Sequence, residues 1–210
     1  MIQKLKDKKN INKIKIDENT FLYFINIKNI TLDLMYSLSK ARQEKINSYK
    51  YAINKKQSLG AGILLKEALK KYKIKEKNII LKTNEYGKPY IENYENIYFN
   101  ISHSNDYSIL VISNKEVGCD IEKIKRVNKF VIGKCFSKNE QDYIKNSFNK
   151  ESAFIQIWTI KESYLKALGC GLNKEMSELD FVNKNEIIQT YNNFKLKQYN
   201  LDDYYITIWY

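Results

Sequence analysis

The amino-acid sequence predicts an α+β fold. Segments with strand-like alternation and segments with helical periodicity both occur along the chain. They do not alternate strictly, as they would in a parallel α/β sheet. Hydrophobic residues make up 43% of 210 positions, enough for a buried core and too many for a disordered chain.

Phe21 to Ile27 alternates as a strand. Thr31 to Tyr51 is expected to be one helix, with Leu32, Leu34, Met35 and Leu38 on its apolar side. Ser58 to Tyr72 is expected to be a second, packing through Leu59, Ile63, Leu64 and Leu69. Ile79 to Lys82 and Tyr98 to Ile101 read as short strands, with a turn at Tyr86-Gly87-Lys88-Pro89 between them. Tyr107 to Ser113 and Val117 to Ile121 read as a hairpin across Asn114-Lys115-Glu116. Ser137 to Ile144 is a short helix, and Ser137 and Glu140 have the spacing of a capping box. Glu151 to Leu168 is a long helix stopped by Gly169. Strands follow at Asp180 to Val182, Ile187 to Tyr191, Phe194 to Tyr199 and Tyr204 to Trp209.

Composition narrows the function classes. No apolar run reaches the length of a membrane span, and the Lys- and Asn-rich start lacks the apolar stretch of a secretory signal. Cys119, Cys135 and Cys170 have no metal-ligand spacing, and an odd number leaves one unpaired in any disulfide scheme. The expected compartment is the cytoplasm. His103 is the only histidine, which excludes a zinc site built on several histidines. A net charge of +12 suits polyanions or acidic proteins, although richness in Lys, Asn, Ile and Tyr together also reads as a general compositional bias.

Two segments carry chemistry. In Gly118-Cys119-Asp120-Ile121-Glu122, strand alternation puts both carboxylates on one face and Val117, Cys119 and Ile121 on the other. In Trp158-Thr159-Ile160-Lys161-Glu162-Ser163-Tyr164-Leu165-Lys166, Glu162 and Lys166 share a helix face at i,i+4. Each alone is commonly a solvated surface. If the two faces meet, three carboxylates and an ammonium converge. Mg²⁺ takes oxygen ligands and is commonly held by one or two carboxylates plus substrate phosphates, so the pattern suits metal-assisted phosphoryl chemistry.

Together with Phe99-Asn100-Ile101-Ser102-His103-Ser104 and Gly87-Lys88-Pro89, these segments make the chain resemble the 4'-phosphopantetheinyl transferases of the surfactin-synthetase-activating type. The resemblance runs from the helix around Arg42 to the Gly169-Cys170-Gly171-Leu172 turn. It implies a pseudo-dimer of two similar α/β halves in one chain, and hence a monomer. Residues 1–116 would carry the basic residues for coenzyme A, and residues 117–210 the Mg²⁺-binding carboxylates and the catalytic helix, with the site in the cleft between. The implied reaction transfers the 4'-phosphopantetheine arm of coenzyme A to a serine of an acyl or peptidyl carrier protein, releasing 3',5'-ADP.

The resemblance also implies residue roles. Asp120, Glu122 and Glu162 would hold Mg²⁺. Lys166, Ser102 and His103 would meet phosphate, Lys88 would lie beside the nucleotide, and Arg42 and Lys45 would meet the 3'-phosphate. Lys56 is placed with them, with Lys55 as the competing register, and both are expected to precede the second helix. Either Glu162 or Lys166 would act as general base. Lys161 lies about a hundred degrees round the helix from Glu162 and is expected to face solvent or another phosphate. Trp158 is expected to pack in the core. Asn105 stands where the family often has glycine, and Asn tolerates left-handed backbone. The stretch Lys123 to Phe136 mixes Lys123, Lys125 and Arg126 with Val127, Phe130, Val131 and Phe136, which suits an acidic carrier helix or packing on the core. Two other classes fit the charge: a basic nucleic-acid-binding module, and a non-catalytic paralogue that binds coenzyme A or a carrier.

Overall fold

The computed structural model describes residues 2–7, 11–126, 129–171 and 176–210. Val127 and Leu172 lie outside the described residues. The strands, in chain order, are β1 (Gln3–Leu5), β2 (Asn12–Lys15), β3 (Phe21–Asn26), β4 (Leu81–Thr83), β5 (Pro89–Ile91), β6 (Tyr98–Ser104), β7 (Tyr107–Ser113) and β8 (Gly118–Lys123). They continue with β9 (Val182–Asn183), β10 (Glu186–Ile187), β11 (Thr190–Tyr191), β12 (Phe194–Leu201) and β13 (Tyr204–Trp209). The helices are α1 (Lys40–Ser48), α2 (Ala52–Leu69), α3 (Lys129–Cys135), α4 (Lys138–Asn146) and α5 (Lys150–Leu168). The class is α+β, as the sequence predicts.

Strand alternation builds the layers. The first sheet is antiparallel, in the order β2-β3-β7-β6. On β3, Phe21, Tyr23 and Ile25 join Leu59, Leu64, Leu65 and Leu69 of α2 in one core, while Leu22 and Phe24 point the other way. The second sheet has the order β1-β12-β13-β8, with β11 paired to β12. On β13, Tyr205 and Trp209 pack with Ile157, Ile160 and Tyr164 of α5. Its other side chains, Ile206 and Ile208, join Cys119 and Ile121 of β8 and Leu22, Phe24, Ile109 and Val111 of the first sheet in a shared third core. The order of layers is therefore helix, sheet, sheet, helix. Both sheets are covered on both faces, which explains why every residue of β7 is buried.

Chain order and sheet membership part company at one place. Gln3–Leu5 leaves the first half and pairs in parallel with Tyr199–Leu201 of β12, in the second sheet.

Three sequence expectations are corrected. The single helix over Thr31 to Tyr51 is a 3-10 segment, Leu32–Ser37, followed by α1, with Leu38 and Ser39 extended between them. Serine hydroxyls compete with backbone bonding there: Ser37 Oγ donates to the Leu34 carbonyl and Ser39 Oγ to Glu76. The second helix starts at Ala52, so Lys55 and Lys56 lie within it rather than before it.

The hairpin across Asn114-Lys115-Glu116 does not form. β7 pairs with β6 and β3, whereas β8 pairs with β13, Asp120 standing opposite Thr207. The connection carries the chain from one sheet to the other. On its free edge, β8 is met by side chains instead of a strand ladder. Its N–H groups at Cys119, Ile121 and Lys123 donate to Asn100 Oδ1 at 3.0 Å, Ser102 Oγ at 3.4 Å and Ser104 Oγ at 3.4 Å. The three acceptors sit at i, i+2 and i+4 on β6, on one face of the strand. β6 is longer than expected, running through Ser104, so Ser102 and His103 are strand residues. At the turn that follows, Asn105 adopts a φ of 45°, the left-handed region its side chain tolerates.

Candidate active site

The site begins with a close approach. A Cβ built on Gly118 would lie 2.1 Å from the Ser163 carbonyl oxygen and 2.3 Å from the Ala167 backbone nitrogen. Only glycine lets β8 lie this near α5. The approach brings Asp120 and Glu122 to the helix face of Trp158, Glu162 and Lys166. These five side chains, with Ile101, Ser102 and His103, line a cavity of about 250 Å³.

Inside it the polar groups are ordered. Asp120 is only 3% exposed. Its Oδ1 accepts from Lys166 Nζ at 2.6 Å and from Ser102 Oγ at 2.7 Å, and its Oδ2 is buried with no hydrogen-bond partner among the described residues. Glu122 Oε2 accepts from Ser104 Oγ at 3.0 Å and lies 3.5 Å from Lys125 Nζ. Glu162 takes no hydrogen bond among the described residues. Its pKa is raised, first by burial, with the charges of Asp120 and Glu122 adding and Lys166 opposing. Burial works against the Lys166 ammonium, but Asp120 and Glu162 outweigh it and its pKa is raised. His103 sits at the cleft mouth, its pKa lowered by loss of solvent and by Lys166.

An orphaned buried carboxylate oxygen beside two further carboxylates suits a hard cation. Among the described residues no three His, Cys, Asp or Glu side chains already stand as a closed metal cluster. An open arrangement fits Mg²⁺, which normally takes some of its ligands from substrate and water.

A larger cavity of about 620 Å³ opens on the first half, lined among others by Arg42, Lys45, Glu76, Lys82, Pro89, Ile101 and His103. It shares Ile101 and His103 with the carboxylate cavity, so the two adjoin. Arg42 is buried, yet among the described residues its guanidinium has neither a hydrogen-bond acceptor nor an ion-pair partner. Burial lowers its pKa, opposed by the charges of Glu76 and Tyr49. Lys45 is exposed at the rim. Lys56 is half-buried in α2 and does not line this cavity.

Several residues stand otherwise than the sequence led one to expect. Lys161 faces neither solvent nor phosphate. It is fully buried, 2.7 Å from Glu140, and donates to the carbonyls of Met176 at 2.7 Å and Leu179 at 2.5 Å. Glu140 also closes the capping box of α4 with Ser137 and accepts from the Phe181 N–H at 3.1 Å. The pair therefore ties α5, α4 and the 176–181 loop together.

Lys88 Nζ contacts Glu116 at 2.5 Å and the Ala167 carbonyl at 2.9 Å, while Asn84 Nδ2 donates to the Gly169 carbonyl at 2.8 Å. The Gly-Lys-Pro turn thus caps the C-terminal end of α5, whose last carbonyls have no helical partner. The Ser102 hydroxyl donates to Asp120 and accepts from the Ile121 N–H and from Lys166, so it orients the carboxylate. Trp158 is only part-buried. It stacks with Phe136 and Phe154 but also lines the carboxylate cavity. Ser104 was not singled out from the sequence, although its i+2 spacing from Ser102 places both on one face of β6.

Comparison with known proteins identifies the family. Residues 116–208 match the model of the 4'-phosphopantetheinyl transferase superfamily, and residues 28–115 match the model described as 4'-phosphopantetheinyl transferase, N-terminal. The chain belongs to the 4'-phosphopantetheinyl transferase superfamily. Similar proteins include 4'-phosphopantetheinyl transferase gsp of Aneurinibacillus migulanus, 35% identical over 66% of this chain and 59% of the relative. They also include 4'-phosphopantetheinyl transferase Sfp of Bacillus subtilis (strain 168), 30% identical over 66% of this chain and 63% of the relative. A third is the L-aminoadipate-semialdehyde dehydrogenase-phosphopantetheinyl transferase of Mus musculus, 32% identical over 70% of this chain and 53% of the relative. The chain spans between half and two thirds of the length of these relatives. No helix among the described residues is long and apolar enough to cross a membrane.

Proposed function

We propose that the chain is a cytoplasmic, monomeric 4'-phosphopantetheinyl transferase. The observation that carries this reading is Asp120: a buried carboxylate with one oxygen held by Ser102 and Lys166 and the other unpartnered among the described residues, in a cavity shared with Glu122 and Glu162. Asp120, Glu122 and Glu162 would hold Mg²⁺, which when bound supplies charge neutralisation at the diphosphate.

The nucleotide end of coenzyme A lies in the larger cavity, where Arg42 and Lys45 meet the 3'-phosphate. His103 and Lys166, in the adjoining cavity, meet the diphosphate. The carrier serine oxygen attacks the β-phosphorus; a P–O bond forms and the bond to 3',5'-ADP breaks. Glu162 takes the serine proton. Lys166, held by Asp120, stays an ammonium that stabilises phosphate charge. The carrier docks near α3. Phe130 is 77% exposed there, and a groove of about 410 Å³ presents Arg126, Lys138, Lys145 and Lys150, against Asp142 and Glu151, around Ile132 and Ile144. Acidic carrier helices complement such a surface.

Mass spectrometry tests the reading. Apo acyl and peptidyl carrier domains, incubated with coenzyme A, Mg²⁺ and this protein, should gain about 340 Da on one serine, the mass of the transferred arm. Asp120→Ala should abolish the gain while circular dichroism shows an intact fold. Absence of any gain with the wild-type chain on every carrier domain, or full turnover by Asp120→Ala, would reject the proposal.

A further inference from the structure

Arg42 and Glu76 are both buried residues and line the same cavity, yet among the described residues no ion pair joins them. Opposite charges on one cavity wall attract, and a carboxylate anchored elsewhere resists that attraction. Glu76 Oε2 accepts from the Ser39 backbone N–H at 2.8 Å, and Oε1 accepts from the Ser39 hydroxyl at 2.9 Å. One residue engages both carboxylate oxygens. Ser39 stands at the N-cap of α1, where a serine side chain ordinarily bonds back to its own helix. Here it makes no such bond and reaches Glu76 instead.

Arg42 is fixed independently. Its Cγ and Cδ lie 3.3 Å from where a Cβ on Gly62 of α2 would stand, so the glycine leaves room for the arginine stem. The guanidinium is held in the cavity wall with its N–H groups unspent.

We propose that Ser39 and Glu76 are positioning residues, a clasp that withholds the carboxylate from Arg42 and so keeps the guanidinium free for a phosphomonoester of the ligand. The inference rests on reading this cavity as the nucleotide end of the coenzyme A site. The nearby carboxylate makes a buried cation tolerable, and the clasp prevents it from quenching that cation. Releasing one carboxylate oxygen would let Glu76 turn onto Arg42 and compete with the ligand.

Titration calorimetry with 3',5'-ADP and 5'-AMP, which differ by the 3'-phosphate, tests this without a carrier protein. The wild-type chain should prefer 3',5'-ADP. Ser39→Ala frees Glu76 Oε1 and leaves α1 without loss of a cap bond. It should reduce that preference about tenfold, the scale of one hydrogen bond to a charged group. Glu76→Gln cannot form the competing ion pair and should keep the preference, and the Ser39→Ala/Glu76→Gln double variant should recover it. Mere loss of structure would instead weaken the double variant at least as much as the single, and would lower both nucleotides alike. An unchanged preference in Ser39→Ala, or a double variant as weak as the single, overturns the clasp alone. A wild-type chain that binds both nucleotides equally overturns the phosphate role of Arg42, and with it both the clasp and this part of the proposed function.

Discussion

Lys166 concentrates the chemistry of single residues in this protein. Its ammonium is held by Asp120 and stands one helical turn from Glu162, and both carboxylates favour the charged form more than burial disfavours it. A lysine whose folded pKa is raised is protonated through the neutral range. The stability it gains from its partners is complete below the unfolded pKa and is lost as pH rises through the folded one. Lys166→Ala should therefore lower kcat while the pH–rate profile keeps its wild-type shape. Loss of the limb that reports deprotonation, with rescue by added small amines, would make Lys166 the base instead. Asp120, Glu122, Glu162 and Lys166 of the carboxylate cavity were legible in the sequence because alternation and i,i+4 spacing place side chains without reference to the rest of the fold. The roles of Lys161, Lys88 and Ser102 were not. Lys161 and Glu140 are far apart in sequence, and only the packed fold shows the lysine turned inward. Nothing local to the turn or to β6 announces the contacts that Lys88 makes with the end of α5 and Ser102 with Asp120.

Among the elements, the packing of α5 on β8 decides whether a site exists. Gly118 has no positive φ, so alanine there meets no backbone strain and the cost is purely one of space. The obstructing atoms are helix backbone, which does not swing aside as a flexible side chain would. Gly118→Ala should cost at least about 3 kcal/mol, at the upper end of ordinary overpacking. The measurement is the urea midpoint, and an unchanged midpoint would show that helix and strand can separate freely. The α5 boundaries were legible, because the helix ends where Gly169 takes a φ of 67°. The break at Leu38 and Ser39 was not, since its cause is the hydrogen bond to Glu76 from a distant turn. The false hairpin has a similar origin. A short polar connection between two apolar strands suits a tight turn as well as a change of sheet, and only β13 and the side chains of β6 decide which edge of β8 is paired.

For the molecule as a whole, the third core governs behaviour. Leu22, Phe24, Ile109 and Val111 from the first sheet share it with Ile121, Tyr199, Ile206 and Ile208 from the second. Neither sheet could face water there, so the halves should unfold as one unit. Both tryptophans, Trp158 and Trp209, belong to the second half. Tryptophan fluorescence and far-ultraviolet circular dichroism, which samples both halves, should give coincident denaturation midpoints. Separate midpoints would show two independent units.

The parallel pairing of Gln3–Leu5 with Tyr199–Leu201 also imposes an order of events during synthesis. β1 leaves the ribosome well ahead of β12, its partner. At ordinary elongation rates, roughly ten to forty seconds separate the two. For that interval Leu5 and the neighbouring backbone have nowhere native to go, so a nascent chain stalled before residue 199 should expose Gln3–Leu5 to chaperones and proteases, and the arrival of β12 is what lets β1 join the second sheet.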